Sequence, residues 1–88
     1  MFFLYILRSK KDGNLYIGST NNLKRGIKEH NAGEVDSTRP RRPLALFYYE
    51  AYTDEEDARK LEKQLKINGR ALGQLKRRLQ NSLQQADK

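Results

Sequence analysis

The stretch LYIGSTNNLKRGIKEHNAG, residues 15–33, predicts a strand that turns directly into a helix. Its opening residues include tyrosine and isoleucine, which favour strands. The Thr-Asn-Asn sequence at residues 20–22 offers side-chain oxygens to the free amides of a helix start. Gly33 is the residue type that most often ends a helix in the left-handed conformation. We therefore predict a helix over about residues 22–32.

The segments on either side of this stretch predict two more strands. Residues 2–7 are rich in aromatic and branched side chains, and the turn-forming residues 11–14 join them to the strand above as a hairpin. Residues 44–52, LALFYYEAY, are apolar on both alternating sets of side chains, which predicts a central strand that is covered on both faces. The intervening residues 34–43, EVDSTRPRRP, predict a basic surface loop that two prolines keep irregular.

Two helices are predicted in the C-terminal part of the chain. Thr53 and Glu56 have the spacing of a capping box, so a helix should start there, run to about Asn68 and end at Gly69. Residues 71–83 repeat leucine every three or four positions, which predicts a third, amphipathic helix. The order β-β-α-β-α-α predicts an α+β fold with a small three-stranded, antiparallel-containing sheet flanked by helices.

Composition limits the classes of protein that this chain can represent. Its 88 residues predict one small domain, residues 1–83, with a polar tail at 84–88. The net charge of +7 favours a polyanionic partner, although a merely soluble basic protein is the alternative. The absence of cysteine excludes disulfides and thiolate metal sites. The first apolar run is too short for a signal peptide or a membrane span, so we expect a cytoplasmic protein without a membrane-spanning segment.

Several polar residues do not fit a purely structural role. Glu62 falls on the same helix face as Ala58 and Leu65, and a carboxylate directed at a sheet needs a cation, a metal ion or strong donors. The alternative is a rim residue that reaches solvent or pairs with an arginine. His30 is also expected to face inward, where a lone histidine is usually structural. Tyrosines in strands are likewise usually packing residues.

Two tripeptides change this interpretation when they are taken together. The sequence FLY at residues 3–5 is followed, after ten residues, by YIG at residues 16–18. This pattern resembles the signature of the GIY-YIG nuclease superfamily, with Phe-Leu in place of the first Gly-Ile, and most closely its small stand-alone proteins. The downstream features follow in the order that the resemblance requires: His30, the loop STRPRRP at 37–43, the strand ending YYEAY at 52, and the helix ARKLEKQLK at 58–66 with Glu62.

The resemblance implies cleavage of DNA phosphodiester bonds with one divalent cation. By that similarity, Tyr5 helps to activate the attacking water, and Tyr16 supports it or contacts phosphate. Glu62 holds Mg²⁺ (or Mn²⁺), which keeps most of its water ligands and needs few carboxylates. His30 lies near the reacting phosphate. A nearby cation favours the tyrosine anion, so a phenol can act as a base or relay.

Gly26 departs from the pattern of this superfamily. In these nucleases an arginine four residues before the position of His30 stabilises the charge that develops on the phosphate, and here that position is Gly26. A glycine inside a helix also costs roughly 1 kcal/mol relative to alanine. Arg25 is the nearest cation, but one residue along a helix is a rotation of about 100°, so it does not replace the missing arginine automatically. The enzyme is therefore expected to be impaired.

Six cations around the first helix and the following loop are the predicted DNA-binding residues: Lys24, Arg25, Lys28, Arg39, Arg41 and Arg42. The alternative is a solvated basic face. Two functions remain open at this point, a metal-dependent endonuclease of structure-specific or non-specific type, and a nuclease-fold module that binds nucleic acid without cutting it. A separate DNA-binding module is not evident, so specificity is expected from DNA structure or from a partner protein. A binder of anionic membranes is less favoured, because the basic residues are not interleaved with aromatics on one amphipathic helix.

Overall fold

A computed structural model describes residues 1–81 of the chain. It contains three strands and three helices in the predicted order β-β-α-β-α-α, so the α+β fold is confirmed. The strands are β1 (Phe2–Ser9), β2 (Leu15–Thr20) and β3 (Leu44–Tyr52), and the helices are α1 (Leu23–Asn31), α2 (Glu55–Ile67) and α3 (Gly69–Arg78). The sheet has the order β2-β1-β3, and both strand pairs are antiparallel.

The central strand is β1, so the prediction that β3 is central and covered on both faces was wrong. Four consecutive side chains of β1, residues 4–7, are buried, whereas β3 exposes Leu46 and Tyr49. An apolar strand with both alternating sets hydrophobic is compatible with either position, because an edge strand can also present apolar side chains to solvent. The register shifts between Ile6 and Leu7, where Phe47 is the extra residue of a bulge in β3.

A hydrophobic cluster lies on each face of the sheet. Leu4 and Ile6 of β1 pack with the leucines of α2 and α3 on one face. Tyr5 and Leu7, which alternate with them, pack near α1 on the other face. Each cluster is small, as expected for a chain of this length. Tyr5 belongs to the second cluster, so this candidate site residue is also part of the core.

The helix ends are set by short polar side chains, but not always by the predicted ones. Asn22 caps α1 by accepting from the amide of Arg25, and Gly33 has a φ of +80°, both as predicted. The cap of α2 is Asp54, which accepts from the amide of Glu56, so the predicted capping box starting at residue 53 was wrong. An aspartate one residue later offers the same kind of acceptor.

The boundary between α2 and α3 also differs from the prediction. Asn68 follows α2 and caps α3 by accepting from the amides of Arg70 and Ala71, whereas Gly69 is the first residue of α3. Leu75 is buried as the leucine pattern predicts. Leu83, the end of the predicted domain and the 84–88 tail lie outside the described residues.

The loop between α1 and β3 is more ordered than predicted. A short 3₁₀ helix, Arg39–Arg41, has Pro40 in its first turn, and the preceding Thr38 is fully buried. A proline is compatible with the first turn of a helix because that position has no intrahelical donor bond to lose. No helix within residues 1–81 has the length and apolar character needed to cross a membrane.

Candidate active site

Gly18 allows the Tyr5 ring to lie across β2. Tyr5 and Gly18 are directly opposite each other in the β1–β2 register. A Cβ atom at Gly18 would lie 2.7 Å from both Cζ and the hydroxyl oxygen of Tyr5, and 3.2 Å from Cε2 of Tyr16. The approaches to Tyr5 are far shorter than a van der Waals contact, so any side chain at the last position of the YIG tripeptide would displace the Tyr5 ring.

The Tyr5 hydroxyl is the first member of a buried hydrogen-bonded chain. Its oxygen lies 2.9 Å from Nε2 of His30, and Nδ1 of His30 lies 2.8 Å from Oγ1 of Thr38. Thr38 donates its own proton to the carbonyl of Val35, which leaves Oγ1 to accept from Nδ1–H. We assign the His30 tautomer on this basis, so that Nε2 accepts the proton of Tyr5.

Tyr16 packs beside this chain. Its ring centroid is 4.8 Å from that of His30 and 6.5 Å from that of Tyr5. The centroids of Tyr5 and His30 are 5.8 Å apart, with their planes at 70°. These separations are those of packed aromatic rings, which restrict one another's rotation. The three rings therefore form one rigid group between the sheet and α1.

Glu62 lies next to β2 and accepts two hydrogen bonds. One carboxylate oxygen accepts from the hydroxyl of Ser19 at 2.6 Å, and the other accepts from Nζ of Lys66 at 2.6 Å. The same Lys66 nitrogen lies 5.9 Å from the centroid of the Tyr16 ring. Because Ser19 alternates with Gly18 along β2, Glu62 approaches from the α2 side of the sheet. The two tyrosines therefore lie on the α1 side of the sheet and Glu62 on the α2 side, and Lys66 contacts both Glu62 and the Tyr16 ring.

The environment sets the charge of each member of the site. Burial raises the pKa of Tyr5, and the charges of Tyr16 and Glu62 add to the effect. Burial lowers the pKa of His30. Burial opposes ionisation of Glu62, but hydrogen bonds from Lys66 and Ser19 outweigh it and lower its pKa. At neutral pH the site therefore contains a protonated phenol, a neutral imidazole and an ionised carboxylate.

Gly26 is buried on the face of α1 that it shares with His30, as predicted. A Cβ atom there would be 3.5 Å from Cγ2 of Thr20, which is an ordinary contact, so the backbone has room for a side chain. Arg25 is exposed and donates to Oδ1 of Asn21 at 2.8 Å, and it pairs with Glu29 at 3.4 Å. The nearest cation is therefore directed along the surface of α1 and not at His30.

A cleft of about 240 Å³ lies between the start of α1, the end of β2 and α2. It is lined by Phe2, Ser19, Thr20, Asn21, Arg25, Glu55, Ala58 and Arg59. Ser19, which donates to Glu62, connects the cleft to the carboxylate. Arg25 and Arg59 also line the cleft, but each is paired with a glutamate, Arg25 with Glu29 and Arg59 with Glu55, and Glu55 itself lines the cleft.

The predicted DNA-binding cations occupy two environments. Lys24, Arg25 and Lys28 are exposed on α1. The loop arginines are partly engaged with the chain itself, since Arg39 binds Asp36 and the carbonyl of Gly33. Nε of Arg41 is 3.9 Å from a carboxylate oxygen of Asp12, and Arg42 donates to the carbonyl of Arg39. The loop arginines thus order the loop as well as adding positive charge.

Glu62 is the residue with the chemistry to hold a divalent cation. Residues 1–81 contain no group of three or more histidine, cysteine or acidic side chains that could hold a metal ion. Mg²⁺ does not require such a group, because it binds through one or two carboxylates and keeps its remaining waters. Glu62 is ionised, and its partner Lys66 is half exposed and can move away. The site therefore fits a single hydrated cation, while the pairing with Lys66 also matches the alternative of a rim carboxylate.

Four contributors to the site were not predicted from the sequence. Thr38 and Ser19 orient His30 and Glu62, Lys66 pairs with Glu62, and Gly18 admits the Tyr5 ring. Gly18 lies inside the quoted tripeptide, so its signal was present. Lys66 is four residues after Glu62 on the same helix, so its pairing could have been predicted from the spacing. Ser19 and Thr38 are common polar residues whose contacts join different segments, and no local spacing reveals them.

Comparison with known proteins agrees with the resemblance that the two tripeptides indicate. The family model described as GIY-YIG catalytic domain matches residues 1–80. A UPF0213 protein of Lactiplantibacillus plantarum is 41% identical over 80% of this chain and 71% of its own length. Those of Bacillus pumilus and Pediococcus pentosaceus are 37% and 38% identical, over 73% and 80% of this chain and 65% and 74% of their own lengths. No solved structure was found to match.

Proposed function

Because the chain belongs to the GIY-YIG catalytic domain family, which has a nuclease-type fold, we propose that it is a DNA endonuclease that uses one divalent metal ion. The observation that carries the proposal is the chain of hydrogen bonds from Tyr5 through His30 to Thr38, beside an ionised Glu62. Hydrolysis of a phosphodiester needs a proton acceptor for the attacking water and positive charge at the phosphate. We expect the cut to be non-specific or directed by DNA structure.

The hydrogen-bonded chain supplies the proton acceptor. As the water oxygen bonds to phosphorus, the bond from phosphorus to the leaving sugar oxygen breaks, and that oxygen takes a proton from solvent. The proton of the attacking water passes to the oxygen of Tyr5, and the proton of Tyr5 passes to Nε2 of His30. His30 becomes an imidazolium whose Nδ1–H remains bound to Thr38, so no proton is left without a partner. The lowered pKa of His30 keeps Nε2 free to accept at neutral pH. Tyr16 packs against His30 and keeps the relay aligned.

Glu62 would hold Mg²⁺ or Mn²⁺ in this enzyme. When bound, the cation supplies positive charge that stabilises the developing charge on the phosphate. Ser19 orients one carboxylate oxygen, and Lys66 has to exchange its bond to the other oxygen for a contact with phosphate or solvent. In the absence of the metal ion, the ammonium group of Lys66 binds the carboxylate oxygen that the metal ion would use.

Gly26 limits the rate of the proposed enzyme. The positive charge that the family places four residues before His30 is missing, and Arg25 is engaged with Asn21 and Glu29. Loss of one charge-stabilising group from an active site typically costs a factor of about 10² to 10⁵. A module that binds nucleic acid without cutting it is therefore the second candidate function, and the vacant position at Gly26 is the observation that favours it.

A plasmid nicking assay tests the proposal. Supercoiled DNA is incubated with the protein and Mg²⁺ or Mn²⁺, and the open-circular form is quantified against an EDTA control. Glu62→Gln keeps the shape of the side chain and should abolish nicking, whereas Glu56→Gln, an exposed carboxylate on the same helix, should leave it unchanged. Nicking that survives Glu62→Gln would refute the proposed role of that carboxylate. DNA binding without any nicking would support the non-cleaving module.

The predicted basic surface has its own measurement. Affinity for duplex DNA should fall with salt, with a slope in log K of about 0.9 per phosphate neutralised. Lys28→Gln removes an exposed cation of α1 and should reduce the magnitude of that slope by about 0.9, which corresponds to the loss of one phosphate contact. Affinity that does not depend on salt would contradict the assignment.

A further inference from the structure

A shallow groove lies beside the candidate active site, on the α1 side of the sheet. Phe3 and Tyr49 form one wall, with ring centroids 6.3 Å apart and planes at 59°. Leu23 and Ile27 of α1 form the other wall. The groove has a volume of about 520 Å³, and Asn21, Asn22 and Lys24 line its polar end. Its aromatic wall is open, because 51% of Tyr49 is exposed.

The polar end of the groove has unused hydrogen-bonding capacity. Asn21 and Asn22 both accept from Arg25 through Oδ1, and their amide NH₂ groups have no partner within residues 1–81. Lys24 forms no ion pair in the same part of the chain. The groove thus combines exposed aromatic surface, amide donors and a free cation. A purely apolar protein segment would leave these donors and the charge unsatisfied.

The groove and Tyr5 lie on the same face of the sheet. Phe3 precedes Tyr5 by two residues on the same face of β1, which is a separation of about 7 Å along the strand. Tyr49 is directly opposite Tyr5 in the β1–β3 register. The Tyr5 ring itself lies across β2, so its hydroxyl and Tyr49 are on opposite sides of β1, about 10 Å or two strand spacings apart. A short single-stranded segment with a phosphate at Tyr5 can span that separation and bring a neighbouring base to the rings of Phe3 and Tyr49.

From these observations we infer that the groove binds an unpaired nucleobase of a single-stranded DNA segment next to the phosphate at the site. This inference rests on the proposed function, since it places the reacting phosphate at Tyr5. A base in a duplex keeps its faces covered by its neighbours, whereas an unpaired base can stack on the ring of Tyr49. The amide groups of Asn21 and Asn22 can donate to base oxygens or nitrogens, and Lys24 to the adjoining phosphate.

Charge favours DNA over a second copy of the chain as the occupant. Each copy has a net charge of +7, and the groove contributes Lys24 to that excess. Two copies meeting at this face would bring like charges together, whereas a DNA strand neutralises them. The groove therefore converts the general affinity for polyanions into a preference for single-stranded segments, such as gaps, flaps and overhangs.

The test compares single-stranded and duplex oligonucleotides of equal length. Binding is measured by fluorescence anisotropy in EDTA, so that no cleavage occurs. Tyr49→Ala should weaken single-strand binding by roughly 5-fold to 100-fold, the range for one base stacked on an aromatic ring, and should change duplex binding by less than 3-fold. Tyr49→Trp should retain the preference. Leu46→Ala is the matched control, because Leu46 is 39% exposed on the same strand but does not line the groove.

A change in the DNA gives a second test that does not depend on the variant folding. Single strands containing consecutive abasic sites keep every phosphate but offer no base, so the unaltered protein should bind them as weakly as Tyr49→Ala binds the normal strand. Equal affinity for abasic and normal strands would overturn the inference. A change in sedimentation mass on Tyr49→Ala, without a change in single-strand binding, would also overturn it and assign the face to contacts between copies.

These outcomes are separate from those of the nicking assay. Absence of nicking with Glu62 intact would remove the proposed catalysis and leave the stacking result standing. Nicking that depends on Glu62, together with no effect of Tyr49→Ala or of abasic strands on binding, would support the enzyme and refute the base-binding groove.

Discussion

Replacing Gly18 by alanine should disturb the site, because the added methyl group has no room beside the Tyr5 and Tyr16 rings. The added Cβ would lie 2.7 Å from Cζ and the hydroxyl oxygen of Tyr5, and 3.2 Å from Cε2 of Tyr16. The Tyr5 ring cannot withdraw easily, because Tyr5 is only 5% exposed and packs against His30. The Tyr5 ring has to move by several tenths of an ångström or more, away from β2.

The cost of this movement has two parts. Overpacking a well-filled region typically costs about 1–3 kcal/mol. Displacement of the Tyr5 hydroxyl also weakens the 2.9 Å bond to His30, and an unsatisfied buried partner costs about 1–3 kcal/mol. The free energy of unfolding should therefore fall by about 2–6 kcal/mol, which at about 4–8 °C per kcal/mol lowers the melting temperature of a domain of this size by at least about 8 °C.

Thermal and urea denaturation followed by circular dichroism measures this loss. Gly73→Ala is the matched control, because within residues 1–81 a Cβ atom at that position of α3 has no neighbour within 4 Å apart from the nearby backbone of its own helix. It should raise stability by about 0.5–1 kcal/mol through helix propensity. A melting temperature for Gly18→Ala within about 4 °C of the parent would refute the close approach of Tyr5, and with it the alignment of the relay.

Two further predictions concern residues that connect α1 to the rest of the fold. His30 has a lowered pKa in the folded state, so the unfolded chain binds its proton first and stability falls as pH drops below about 6.5, by up to about 1.4 kcal/mol per pH unit. His30→Gln should flatten the dependence of urea midpoints on pH between 6.5 and 5, and an unchanged slope would show that His30, the one histidine of the sequence, is not responsible. Asn31 donates to the carbonyl of Leu44 at 2.9 Å and accepts from its amide at 2.8 Å, so Asn31→Ala should lower the free energy of unfolding by about 1–3 kcal/mol. Asn21→Ala, at an exposed position, should change it by less than about 0.5 kcal/mol, and equal effects of the two substitutions would contradict the anchoring role of Asn31.

The sequence was sufficient for the elements because their signals are local. Asn22 and Gly33 define the ends of α1, and hydrophobic spacing placed Leu75 in the core. The position of β3 in the sheet was predicted wrongly because the central strand is the one that pairs with a neighbour on each side. That strand is β1, which is buried on both faces, and the composition of β3 alone gives no information about this pairing.

The candidate site shows the same division. Periodicity placed Glu62 and His30 on inward faces, and the structure has both in contact with other elements. The partners that fix their orientation, Ser19 and Thr38, come from segments 43 and 8 residues away in the sequence. Side chains as common as serine and threonine carry no signal for such contacts until the fold brings them together.

The roles of individual residues in the site stay predictions. A substitution at Gly26 tests them most directly, because it would restore the missing cation beside His30. A Cβ atom there meets Thr20 at 3.5 Å, so an arginine can start from this backbone without a clash. Its helix propensity is better than that of glycine by roughly 0.8 kcal/mol, which favours stability if the longer side chain reaches the cleft. An alternative is that a phosphate approaches the bare backbone at Gly26, in which case arginine would block it.

The most direct measurement is the metal-dependent nicking rate of four proteins: the parent chain, Gly26→Arg, Glu62→Gln and the double variant. If Gly26 occupies the place of the missing cation, Gly26→Arg should nick supercoiled DNA at least about 100-fold faster than the parent, at equal or higher melting temperature. Glu62→Gln should abolish nicking in both backgrounds. A folded Gly26→Arg protein that binds DNA but nicks no faster than the parent, or nicking by the double variant, would contradict the account.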